Sequence, residues 1–196
     1  MKKIITTPIT FDQIKDLKIG DTVYLTGKLA TCRDAGHRRV IREKTLPERF
    51  DLNGGALYHA GPIVRTEPDG RFTVISAGPT TSRRMEAVEA EFLEKTGVRM
   101  LIGKGGMLEK TAAACKRYGV IHCAFPGGCA VIAADRVKKV CGVEWLDLGM
   151  AEAFWEMEVE EFGPLIVSID VQGNNLFANN RTAFAGRVEK LKEKLS

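Results

Sequence analysis

The 196-residue chain has few of the features that assign a sequence to a special class at once. Its five cysteines are odd in number and contain no CxxC pair, which argues against a disulfide framework and against a self-contained zinc or iron–sulfur site. The charge-free run 123–134 is much shorter than the roughly 20 apolar residues of a bilayer span. The two lysines near the start precede no apolar segment, so we expect no signal peptide. Free thiols favour a reducing, cytoplasmic location.

The composition is that of an ordinary globular protein. Hydrophobic residues make up 44% and charged residues 28%, which excludes disorder and coiled coil. The net charge of +4 is too mild to indicate a nucleic-acid partner, and we expect no membrane partner. Basic residues concentrate in 31–50 and acidic residues in 151–164. We interpret these stretches as two solvated faces, with a subunit contact through the acidic stretch or the tail helix as the alternative.

Hydrophobic periodicity predicts one α/β domain over residues 1–196, strand-rich in 1–76 and alternating between strand and helix in 77–148. Helices are predicted at 10–17, 34–46, 82–95, 107–118, 128–140 and 181–195. Strands are predicted at 22–26, 56–64, 71–76, 99–102, 120–125, 143–148 and 165–171.

Three loops, at 76–85, 102–107 and 125–130, share the order strand, glycine or proline, helix. Ligands of α/β sheets bind at the carboxyl ends of strands, and free N–H groups at a helix start favour anions. Arg83 and Arg84 fall in the first turn of a predicted helix, where the macrodipole disfavours a cation. A bound anion would explain them, and a solvent-facing arginine pair is the alternative.

Two further cations are predicted near these loops. Arg33 follows the strand that begins at residue 22, and Lys104 lies among glycines, where a flexible surface turn is the alternative interpretation. Together with Arg84 and nearby hydroxyl groups they are typical of a site for a small, multiply charged anion, without metal ligands or an evident general base. His59 and His122 are interpreted as core or wall residues, and His37, a lone histidine at a predicted helix start, as structural rather than catalytic.

Several of these segments occur together in one known family. Residues 78–85, GPTTSRRM, resemble the GPTTSxRM signature of class I fumarate hydratases, and 103–107, GKGGM, look like their GKGGM motif. Residues 33–37, RDAGH, are similar to their RDxAH segment. The resemblance continues in order through 58–62, 127–128 and 170–177, so that it covers nearly the whole chain. The β subunits of L-tartrate dehydratases share these motifs.

The resemblance implies a swivelling β/β/α fold and the role of a β subunit in a hetero-oligomer. The implied reaction is reversible hydration of fumarate to L-malate, with L-tartrate dehydration as the alternative. A [4Fe–4S] cluster is implied for the partner α subunit, which would supply its three cysteine ligands.

The resemblance also implies roles for individual residues. Thr80 would be the catalytic base, with Thr81 as the other candidate. The substrate carboxylates would be bound by Arg33, Arg84 and Lys104. A hypothesis of another class stays open at this point: a dicarboxylate-binding module without catalytic activity.

Overall fold

The computed structural model describes residues 2–195, without the side chains of residues 189, 190 and 193–195. Nine strands lie in this range, at Lys3–Thr6 (β1), Thr22–Thr31 (β2), Ala56–Tyr58 (β3), Ile63–Thr66 (β4), Phe72–Ser76 (β5), Met100–Gly103 (β6), Ile121–Ala124 (β7), Val137–Glu144 (β8) and Phe154–Ile169 (β9). Six α-helices lie there too, at Phe11–Ile14 (α1), Asp34–Arg38 (α2), Glu89–Thr96 (α3), Glu109–Tyr118 (α4), Ala130–Asp135 (α5) and Leu176–Leu195 (α6).

The main sheet closes on itself. β2, β3, β6 and β7 are successive parallel neighbours, and β9 pairs antiparallel with both β7 and β2. β1 extends the sheet beside β2, β8 extends it beside β9, and β4 and β5 form a separate hairpin. Because the four parallel strands run in one direction, their carboxyl ends meet at one rim. The rim therefore collects the loops that follow β2, β3, β6 and β7.

Apolar side chains fill both faces of the central strands. In β6, Met100 and Ile102 belong to the core enclosed by the sheet, whereas Leu101 faces the core beneath α3 and α4. This two-sided burial explains why β6 and β7 are nearly continuous apolar runs. Trp155 and Phe92 are among the large, fully buried side chains of the two cores. A rigid support thus lies behind the rim.

The alternation of strands and helices confirms the predicted mixed α/β class, but several segments differ. The helix predicted at 128–140 ends at Asp135, and 137–140 belong to β8 because they pair with β9. The strand predicted at 143–148 ends at Glu144 and is followed by a 3₁₀ turn. The strand predicted at 165–171 is the end of the much longer β9.

Two predicted helices are shorter than expected. The helix at 34–46 consists of α2 and a π-helical turn, Arg39–Glu43. The helix at 82–95 begins as a 3₁₀ turn, Ser82–Arg84, and becomes α-helical only at Glu89. Glu86 lies between this 3₁₀ turn and α3, and its carboxylate accepts backbone N–H groups at the start of α4. No helix within residues 2–195 has the length and apolarity needed to cross a membrane.

Candidate anion-binding site

Backbone hydrogen bonds join the predicted site loops at the sheet rim. The Thr80 N–H donates to the carbonyl of His59 at 2.6 Å, and the Lys104 N–H donates to the carbonyl of Thr80 at 3.0 Å. The Ser82 N–H in turn donates to the carbonyl of Lys104 at 3.0 Å. The loops after β3 and β6 and the segment that follows β5 therefore form one layer, in which Thr80 and Lys104 are backbone neighbours.

Arg33 and Arg84 are brought together by an acid between them. Asp34 Oδ1 accepts from Arg84 Nε at 3.0 Å, and Asp34 Oδ2 lies 2.7 Å from Arg84 Nη2. The same Oδ2 is 3.5 Å from Arg33 Nε, and Glu152 Oε1 lies 2.8 Å from that nitrogen. Glu152 also accepts the Ala35 N–H at the start of α2. Sequence reasoning did not anticipate either acid as part of the site.

The acids bind the arginines in a way that leaves terminal N–H groups for a ligand. Asp34 occupies the Nε side of Arg84, and Glu152 faces the Nε of Arg33. A guanidinium carries five N–H donors, so its outer edge stays available to a carboxylate. Partial burial opposes ionisation of Asp34, but a backbone N–H and the charge of Arg84 lower its pKa. The ionised acid thus orients Arg84.

The site face is open. The Arg84 side chain is 50% exposed, and Lys104 and Thr81 are exposed. Thr80 is 9% exposed, so it is the more enclosed of the two candidate threonines. Among the residues described, Lys104 Nζ has no hydrogen bond or ion pair within the chain. Arg84 and Lys104 therefore present their charges to solvent on the face where the four predicted site residues were expected.

All three histidines are fully buried, which agrees with the core prediction for His59 and His122, but they form a polar cluster beneath the predicted site loops. Glu89, also fully buried, has its two oxygens 3.6 Å from His37 Nε2 and 3.3 Å from His59 Nε2. Burial opposes the charge of Glu89, yet the two histidines bring its pKa far below the usual range. Burial likewise opposes a charged His37, whereas Cys32 and Glu89 raise the pKa of His37 well above its usual value. Glu89 is thus a buried anion.

The donor set of this chain does not fit an iron–sulfur cluster. Its five cysteines are free, and Cys32, Cys115 and Cys123 are buried. Among the described residues the one group of three ligand-type side chains within 4.8 Å is His37, His59 and Glu89, which contains no cysteine. That group provides three donors, one fewer than a closed structural zinc site requires.

Gly103, at the end of β6, is required by this cluster. A Cβ there would lie 1.9 Å from Ser82 Oγ and 3.1 Å from His59 Nδ1. We expect Gly103→Ala to lower the free energy of unfolding by about 1–3 kcal/mol, as overpacking does. Gly186→Ala in α6 is the control, because a Cβ there meets nothing within 4 Å. Denaturant unfolding of both variants tests this, and equal stability would contradict it.

The neutral state of His122 predicts a loss of stability in mild acid. Burial and the charge of His59 lower the pKa of His122 to about 3, while an unfolded histidine titrates near 6.5. The difference between these two pKa values stabilises the folded state fully above pH 6.5, and this stabilisation is lost as the pH falls below 6.5. Between pH 6.5 and 4.5 we expect unfolding to become easier by roughly 2–3 kcal/mol. Stabilisation from the raised pKa of His37 is present below pH 6.5 and so does not cause this loss.

The matching variant is His122→Gln, which cannot titrate in this range. Its unfolding free energy, measured by urea titration at each pH, is expected to change less between pH 6.5 and 4.5 than that of the unmodified protein. The same pH slope in both proteins would show that His122 is not the responsible group.

Comparison with known proteins agrees with the resemblance seen in the motifs. Residues 2–180 match the family described as Fumarase C-terminus. The L(+)-tartrate dehydratase subunit beta of Escherichia coli K12 is 51% identical over 195 residues, covering 100% of this chain and 96% of the relative. The putative L(+)-tartrate dehydratase subunit beta of Methanocaldococcus jannaschii is 46% identical over 172 residues, covering 86% of this chain and 88% of the relative.

A more distant relative has a different arrangement. The putative fumarate hydratase class I of Geobacillus stearothermophilus is 37% identical over 194 residues, which are 98% of this chain but only 37% of that relative. The match to the family over residues 2–180 and the 51% identity along the full length lead to one conclusion. The chain belongs to the fumarase C-terminus family.

Proposed function

We propose that this chain is the β subunit of a two-chain hydro-lyase that dehydrates L-tartrate. The observation that carries the proposal is the 51% identity, along the whole chain, to an L(+)-tartrate dehydratase subunit beta. Fumarate, the substrate preferred from sequence motifs, becomes the second candidate, because the relative named for fumarate hydratase is only 37% identical. The open cationic face supports a dicarboxylate substrate of either kind.

The chemistry requires stabilisation of negative charge. Dehydration of L-tartrate removes a proton from one carbon and hydroxide from its neighbour, and the enol so formed is that of oxaloacetate. The proton leaves a carbon beside a carboxylate, so charge builds up on the carboxylate oxygens. Arg33, Arg84 and Lys104 would bind the two carboxylates and stabilise this charge. Thr80 would accept the proton, for which the neighbouring cations must make its hydroxyl a better base.

A partner chain completes this proposal. Arg84 and Lys104 are too exposed here to act in a dry site, and a covering surface would strengthen their interaction with substrate. The cysteines do not fit a [4Fe–4S] cluster, so its ligands would come from an α subunit in a hetero-oligomer. A swivelling motion of this domain and a cytoplasmic location, which suits five free cysteines, belong to the same proposal.

The test compares the purified chain, the purified partner and their mixture. We expect the chain alone to be colourless, free of iron and inactive, and oxaloacetate to form from L-tartrate only in the mixture. Stoichiometric iron and sulfide in the isolated chain would contradict the proposed division of roles. Dicarboxylate binding by this chain, with no turnover in the mixture, would favour the non-catalytic module.

A further inference from the structure

A continuous series of buried polar side chains runs beneath the site. We call it the buried histidine network, and its members are His37, Glu89, His59, Ser82, His122 and Ser168. Each of these residues has a relative exposure of 0%. Polar groups buried to this degree are costly unless they are paired, so their arrangement carries information about function.

The direction of the hydrogen bonds can be derived from one end of the network. The Ser168 hydroxyl donates to the carbonyl of His122 at 3.1 Å, so Ser168 Oγ accepts from His122 Nδ1 at 2.5 Å. Burial keeps His122 neutral, and its Nε2 therefore accepts the hydroxyl proton of Ser82 at 3.1 Å. Ser82 Oγ must then accept from His59 Nδ1 at 3.0 Å. His59 Nε2 is left facing Glu89.

Ser82 is the point where the network meets the site. It lies two residues after Thr80 and two before Arg84, and its backbone N–H is bound to Lys104. Its hydroxyl occupies the space that a Cβ of Gly103 would need. Rotation of this segment would break two buried hydrogen bonds at once. The hydroxyl of Ser82 therefore fixes the orientation of the segment that carries Thr80 and Arg84.

The other end of the network reaches the Arg33 segment. Glu89 faces His37 as well as His59, and His37 Nδ1 lies 2.9 Å from the carbonyl of Arg33, to which it must donate. We propose that Ser82, held by His59 and His122, is a positioning residue that sets Thr80 and Arg84 against Lys104. The proposal rests on the proposed function, because its effect is on turnover.

The variants separate positioning from mere packing. Ser82→Ala removes the linking hydroxyl. His122→Asn keeps a polar group at the Nδ1 position but removes the Nε2 acceptor, whereas His122→Gln places an amide oxygen near the Nε2 position. Thr96→Val is the control, because it removes another buried hydroxyl, one that donates to the carbonyl of Phe92 at 2.8 Å outside the network.

In the assembled two-chain enzyme, Ser82→Ala and His122→Asn are expected to lower kcat/KM about 10- to 100-fold, as small misplacements of catalytic groups do. His122→Gln is expected to retain most of the activity. Thr96→Val should lower the Tm while leaving kcat/KM unchanged. An unchanged kcat/KM for Ser82→Ala, or equal kcat/KM values for the two His122 variants, would overturn this proposal. Neither result would contradict the proposed function.

A spectroscopic readout on this chain does not depend on turnover. Long-range ¹H–¹⁵N spectra are expected to show His122 neutral, with its proton on Nδ1, and Ser82→Ala should shift the signals of His59 and His122. The opposite tautomer would overturn the inference. Elemental analysis that finds one divalent metal ion per chain would also overturn the inference, because an ion bound by His37, His59 and Glu89 would then hold the loops in place. The unmodified complex could dehydrate neither substrate while the spectra still show the expected state of His122. That result would contradict the proposed function but not the hydrogen-bond network.

Discussion

Replacing Thr80 with valine is expected to lower kcat/KM of the assembled enzyme by about 100- to 10,000-fold, the usual contribution of a general base. Valine has nearly the same shape but no hydroxyl, so substrate binding should change less than turnover. The backbone of Thr80 is fixed between His59 and Lys104, and valine preserves both of those hydrogen bonds. The measurement is steady-state dehydration by complexes with equal iron content.

Thr81→Val is the matched control for this experiment. Thr81 is adjacent in sequence but exposed, and its variant makes the same change of side chain at the neighbouring position. We expect Thr81→Val to keep most of the activity. A large loss at Thr81 with little at Thr80 would assign the base to the other threonine.

Arg84→Lys is expected to be nearly as damaging as Arg84→Ala, with a fall in kcat/KM of roughly 10- to 150-fold for the loss of one charge-assisted bond of about 1.5–3 kcal/mol. Arginine can bind Asp34 through Nε and Nη2 while its outer edge binds a substrate carboxylate. A lysine ammonium is a point charge that cannot reproduce both pairs of contacts. Asp34 would then compete with the substrate for the single ammonium.

Arg83→Ala provides the comparison, because Arg83 is the exposed neighbour in the same 3₁₀ turn. Its loss should be mild, and cluster content should be equal in all three variants. Equal losses at Arg83 and Arg84 would show that the carboxylate clamp has been placed on the wrong residue.

The parts of the fold that could be predicted are those determined by local sequence. α3 and α4 end where expected because Gly97 and Gly119 adopt left-handed conformations, with φ of 67° and 65°. β6 and β7 were recognisable as short apolar runs. β8 was not, because its pairing with β9 overrides an apolar pattern that suits a helix. The first part of β9 was not predicted as a strand either, because its acidic residues suggest a solvated segment. In the structure Glu156 is buried there and pairs with Lys28 on β2.

In the site, too, local motifs could be predicted from the sequence, whereas contacts between distant residues could not. The sequence motifs point to the four residues proposed to touch substrate. The structure joins the Thr80 and Lys104 segments through the backbone, and Arg33 to Arg84 through the Asp34 carboxylate. Glu152 could not have been assigned, because it lies 117 positions from Ala35, whose N–H it accepts. Glu89 did leave a signal: it stands four residues after Met85 and four before Leu93, within the apolar stripe of the predicted helix. An acid at such a position indicates a buried partner, here two histidines.

The most direct test of the account is the ratio of kcat/KM for L-tartrate to that for L-malate, measured with this chain assembled with its partner. We expect L-tartrate to be dehydrated to oxaloacetate with the higher kcat/KM, and neither chain alone to dehydrate either substrate. A higher kcat/KM for L-malate would make the complex a fumarate hydratase. Turnover by one chain alone, or dehydration of neither substrate by the complex, would contradict the assignment of this chain as the carboxylate-binding half of a two-chain hydro-lyase.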